Sequence, residues 1–187
     1  MLRPSVLLVL ALGLPGCATV SVPADPASPF SVVPEGTIVE LHRPIPIPPG
    51  RARAWFQRGR LAAGHDWHHP ACNLEVRTLD REAVQTVQPG EFRVRRVQQM
   101  LEYVGQEDRP SGDRAIAVRT RLADGGDWGG GPTYVQLGYH LWLESREQPN
   151  VLRITCLGAR DLAFEAFPPG IDDIREAFGN IATLRTP

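Results

Sequence analysis

The stretch Tyr134-Val135-Gln136-Leu137-Gly138-Tyr139-His140-Leu141-Trp142-Leu143-Glu144 alternates without a break. Val135, Leu137, Tyr139, Leu141 and Leu143 fall on one side, and Tyr134, Gln136, His140 and Trp142 on the other. Successive side chains of a strand point to opposite faces, so a period of two marks a strand with one buried face. One-sided strands belong to antiparallel sheets. The fold class follows from this stretch, and its neighbours extend it.

Gln148-Pro149-Asn150 turns the chain into Leu152-Arg153-Ile154-Thr155-Cys156, a strand whose cysteine shares parity with Leu152 and Ile154. Upstream, Cys72-Asn73-Leu74-Glu75-Val76-Arg77 opens a strand running to Leu79, with Cys72 on the side of Leu74 and Val76. Thr37 to His42, Ala52 to Gln57 and Glu91 to Val97 read as further strands, the last extending towards Tyr103. Pro44-Ile45-Pro46-Ile47-Pro48-Pro49-Gly50 lacks ladder donors and fits only an edge or a polyproline segment. Near the end, Ile171, Ile174, Phe178 and Ile181 recur at helical spacing. Asp172 and Asp173 suit the N-terminal end of that helix, and Gly179-Asn180 stops it. The expected fold is mainly β (α+β): an antiparallel sheet, sandwich-like or partly closed as a barrel, with one C-terminal helix packed on it. Gly105 to Pro132 reads as a long loop, with Ala115 to Val118 as a short strand inside it.

The N-terminus carries a different signal. Arg3 precedes an apolar run from Val6 to Leu14, which ends at Pro15-Gly16-Cys17. This is the layout of a secretory signal peptide, and the run is too short to cross a bilayer, which takes about 20 apolar residues. The segment Leu14-Pro15-Gly16-Cys17 resembles the lipobox of bacterial lipoproteins. The resemblance implies cleavage before Cys17, lipid on its thiol, and a membrane as partner through that anchor. Pro15 is a less usual residue before the Gly-Cys pair. Ala18, where the sorting pattern would place an Asp for inner-membrane retention, implies an outer-membrane, periplasm-facing location. The competing reading is an ordinary signal peptide with an incidental cysteine. Residues 1–16 are then the signal peptide, 17–35 a lipidated tether rich in Pro, Ser and Ala, and 36–187 a single β-rich periplasmic domain. Pro34-Glu35-Gly36-Thr37, Pro49 to Ala54, Cys72 to Glu75 and His140 to Leu143 are similar to segments of uncharacterised proteobacterial outer-membrane lipoproteins. That likeness implies no activity.

Composition removes several classes. Lys and Arg together number 20, and every one is Arg. A chain without lysine has no Schiff-base lysine, which excludes a pyridoxal enzyme, and no lysine general base. The net charge of -1 gives no case for nucleic acid. With Cys17 assigned to lipid, Cys72 and Cys156 remain as a pair in an oxidising compartment, expected to form a disulfide; two buried free thiols are the alternative.

Two groups are candidate sites. Gly64-His65-Asp66-Trp67-His68-His69 puts three imidazoles and a carboxylate together, a set able to hold zinc or copper. It is not the helical H-E-x-x-H pattern, and a solvated polar loop is the plainer reading. His140 is the candidate to join them, from the opposite face of its strand. Arg93, Arg95 and Arg96, with Arg51, Arg53 and Trp55, form a candidate arginine-aromatic face for carboxylate or phosphate; the solvated side of a one-sided sheet is the alternative. No G-x-S-x-G elbow, phosphate loop or calcium loop is present. The expected function is a non-catalytic module that binds or scaffolds an envelope protein or an anionic envelope component, without a cofactor. A metal carrier or metal-dependent enzyme using His65, Asp66, His68 and His69 is the alternative. A structural protein docking through the Pro44 to Pro49 edge is a third reading.

Overall fold

The computed structural model describes residues 33–106 and 133–187. It is a mostly antiparallel β structure, a sheet curled into a half-barrel, with a single helix near the C-terminus. Eleven strands run in chain order: β1 (Ile38–Leu41), β2 (Ile45–Ile47), β3 (Arg53–Gln57), β4 (Arg60–Ala62), β5 (Ala71–Val76), β6 (Gln85–Val87), β7 (Gly90–Gln106), β8 (Thr133–Glu144), β9 (Val151–Leu157), β10 (Asp161–Leu162) and β11 (Ala182–Arg185). The helix α1 spans Ile171–Phe178. The main sheet has the order β11-β1-β7-β8-β9-β5-β3-β4, with β10 added on β8, and β2 pairs with β6 as a separate ribbon. Cys17, the expected signal peptide and residues 17–32 of the expected tether lie outside the described residues, as do 107–132 with the expected Ala115 to Val118 strand.

The periodic stretches place the core. Val135, Tyr139, Leu141 and Leu143 of β8 are buried, as are Phe92 and Val94 of β7, Ala54 and Phe56 of β3, and Leu74 of β5. Ile171, Ile174 and Phe178 of α1 are buried against this face. Phe178 meets Phe56 edge-on at 5.9 Å between ring centroids. The helix begins where Gly170 N–H donates to Asp173 Oδ2 at 2.8 Å, and Asp172 and Asp173 sit in its positive first turn. It ends against the two-residue turn between β3 and β4. Arg58 and Gly59 both have positive φ, 51° and 70°, the geometry of a type I′ hairpin. A Cβ on Gly179 would lie 2.5 Å from Gly59 Cα, so both chains approach there without side chains.

Several expectations change. Leu152 is only half-buried, because a β-bulge between Glu75 and Val76 pairs Val76 with Val151 and brings Val151 inward instead. Leu137 is also half-buried, and Gln136 on the supposedly solvated side is 1% exposed. The proline stretch does form a strand, but in the separate ribbon, with Ile45 and Ile47 fully buried and Pro46 outward. The folded part begins earlier than residue 36, since Val33 is 1% exposed and belongs to the core. The expected fold class holds, and of its two forms the partly closed barrel is the one observed: the main sheet curls into a half-barrel.

Candidate functional site

The cysteines set the register of the candidate surface. Cys72 of β5 and Cys156 of β9 are directly opposed and disulfide-bonded, with Cα atoms 4.1 Å apart. Both side chains enter the core, so the residues beside them face the other way. Asn73 is thereby opposed to Thr155, and Glu75 to Arg153. Pairing continues outward on both sides. One row across five strands reads Arg53, Glu75, Arg153, Trp142, Arg96, and the next reads Trp55, Asn73, Thr155, His140, Gln98.

The first row is an ion ladder with an aromatic step. Glu75, 5% exposed, is ion-paired with Arg53 Nη2 at 3.1 Å and accepts from Arg153 Nε at 2.5 Å. A buried carboxylate requires such partners. The Arg153 and Arg96 guanidinium carbons lie 5.1 Å and 4.6 Å from the Trp142 ring centroid, within cation–π range. Trp142 Nε1–H donates to Gln98 Oε1 at 3.1 Å.

In the second row, Trp55 stacks on His65 at 4.0 Å between centroids. His140 Nδ1 shares a hydrogen bond with Thr155 Oγ1 at 2.8 Å. Burial, and then the positive charge of Arg153, hold the His140 pKa below its ordinary value, with Glu75 opposing and Arg53 adding to the effect. Asn73, fully buried, has neither side-chain atom hydrogen-bonded.

The histidine loop is tied to this surface by its backbone. Gln57 of β3 donates from Nε2 to the carbonyls of Asp66 and His69, at 2.8 Å and 3.1 Å, and accepts from Asp66 N–H at 2.9 Å. The side chains then diverge. His65 stacks on Trp55 and lies 3.2 Å from Gln136 Oε1. Asp66 Oδ1 accepts from His68 N–H, which holds its pKa below the ordinary value against desolvation, with smaller contributions from His69, His68 and Arg58. The His69 ring lies 3.8 Å from Asp66 Oδ2. Among the described residues no group of three or more His, Cys, Asp or Glu is placed to hold a metal ion. His65, Asp66, His68 and His69 are thus neighbours in sequence without converging.

The arginine set also divides. Arg51 and Arg53 line an open groove of about 820 Å³ with Trp55, Pro46, Pro48 and Leu61. Arg93 and Arg95 lie on or beside β7, with β8, β9 and β5 between them and β3. Four strand spacings of about 4.8 Å each keep the two pairs apart. Arg95 lies at the bulge in β7 and lines a different hollow with Arg77 and Glu144. The arginines that join Arg53 on its own row are Arg153 and Arg96. Arg96 already belongs to the arginine face read in the sequence; the signal for Arg153 is the cysteine pair, since opposing Cys72 to Cys156 puts Glu75 against Arg153.

Comparison with protein-family models, with curated proteins and with solved structures finds no match for this chain.

Proposed function

We propose that the chain is a lipid-anchored outer-membrane protein whose β-rich domain binds an anionic envelope component without catalysis. The observation carrying the binding reading is the groove of about 820 Å³ walled by Arg51, Arg53 and Trp55. Its size matches that of small-ligand sites, about 300–1,000 Å³. Guanidinium groups beside an indole suit a carboxylate or phosphate attached to an apolar body. β3, which carries Arg53 and Trp55, pairs with β5, and β5 is disulfide-bonded to β9. The anchor reading rests on the lipobox resemblance at Leu14 to Cys17, and the paired cysteines Cys72 and Cys156 suit an oxidising compartment.

The test uses full-length protein from native membranes in detergent micelles. Intact mass reads the acyl chains on Cys17. Tryptophan fluorescence then follows titration with carboxylate-bearing cell-wall fragments and with phosphate-bearing lipids. Saturable binding to either, weakened at least 10-fold in Arg51→Ala/Arg53→Ala, supports the reading. Turnover of these compounds at enzyme-like rates, abolished by point substitution, overturns it.

A further inference from the structure

The groove lies against an interrupted sheet edge. Val76 N–H donates to the Ala52 carbonyl at 2.9 Å, so the backbone polar groups of Ala52 face β5. The N–H and C=O of successive strand residues point to opposite sides, so those of Arg53 face away from β5, towards the groove. On that side β4 accompanies β3 only at Trp55, Phe56 and Gln57. Among the described residues no strand pairs with Arg53 there.

We propose that this edge takes an extended peptide segment bearing a carboxylate, which pairs with the Arg53 backbone and places its charge on Arg51. The inference rests on the binding reading of the same groove and names the occupant. An outward N–H and C=O on one residue match the C=O and N–H of an added strand. The walls beside the edge, Pro46, Pro48, Leu61, Ala62, Ala63 and Leu79, are apolar and suit alternate side chains. Arg51 is exposed and forms no ion pair among the described residues, whereas Arg53 is engaged by Glu75. The open length is short. Pro46 and Pro48 border it at one end and β4 occupies it at the other, which disfavours a long strand from a second copy of this chain.

The deciding comparison is Arg53→Ala against Arg53→Pro in the full-length protein. Both remove the guanidinium, but only proline removes the edge N–H, and it breaks no bond to β5. The probe is a synthetic alanine–valine hexapeptide with a free C-terminal carboxylate, beside its C-terminal amide. Expected are binding by the wild type, at least 10-fold weaker binding for Arg53→Pro than for Arg53→Ala, and at least 10-fold loss on amidation that Arg51→Ala reproduces. The Arg53 amide of the wild type should exchange at least 10-fold more slowly with peptide bound. That measurement decides if Arg53→Pro fails to fold. Equal affinities of the two Arg53 variants with no slowing of exchange overturn the inference. If anionic glycan or lipid binds while the peptide does not, the inference fails and the binding reading stands. If no anionic probe binds, both fail.

Discussion

Cys72 and Cys156 sit opposite one another on adjacent antiparallel strands, and their bond closes a loop across a sequence separation of 84 residues. In the chain-entropy account, a closure of that length contributes about 4–5 kcal/mol by restricting the unfolded chain. The pair is buried in the core, so replacing both residues with Ala also loses packing. Cys72→Ala/Cys156→Ala should lower the urea midpoint sharply relative to the wild type. An unchanged midpoint, with a native-like circular dichroism spectrum, would contradict this account.

Glu75 is the hinge of the ion ladder. Its side chain is 7% exposed, against 22% for Arg153 and 48% for Arg53. Breaking a buried pair by removing one partner costs about 3–5 kcal/mol. Removing the exposed partner should cost about 0–1 kcal/mol, as for surface pairs. The expected order of destabilisation is therefore Arg153→Ala well above Arg53→Ala, with Glu75→Gln smaller than Glu75→Ala because the amide still accepts. Equilibrium unfolding of the four variants checks the order.

How much of this was legible in sequence differs by element. β8 and α1 carry enough residues for a period to show, and both appear where the pattern places them. β4 and β6 have three residues each and β11 four, too few for a period to stand out. The bulge beside Val76 shifts the parity of β9, which is why Leu152 rather than Val151 looks inward in sequence. The histidines were visible as a group. Their divergence depends on Gln57 and Trp55 of β3 and on Gln136, 71 residues from His65, whose contacts no local pattern announces. Arg53 was visible as part of a charged face, but its cross-strand partners required the β5–β9 register.

His140 gives the domain a pH dependence with a definite sign. Its pKa is lowered from 6.5 by burial and by Arg153. The folded state therefore binds the proton less readily than the unfolded chain. Stability is unaffected by this group well above pH 6.5, and falls as pH drops from the unfolded value through the lowered folded one. The melting temperature should decline between pH 7.5 and 5.5. His140→Asn should decline less over the same interval. Parallel slopes in the two proteins would assign the dependence to other groups.

Asn73 is one place where the fold holds a cost, and the one where both polar atoms of the side chain lack a partner among the described residues. Its amide is fully buried between Trp55 and Thr155 in the register of the sheet, and neither Nδ2 nor Oδ1 is hydrogen-bonded. An unsatisfied buried polar group costs about 1–3 kcal/mol. Leucine has nearly the same shape without the unpaired groups, and the position is in a strand flanked by β3 and β9. Asn73→Leu should raise stability by about 1–2 kcal/mol on the same scale, read as a higher urea midpoint with unchanged m. Asn73→Ala removes the cost but leaves space beneath the Trp55–His65 stack, so its gain should be smaller. If Asn73→Leu is destabilising while Asn73→Ala is neutral, the side-chain shape rather than its polarity governs this position.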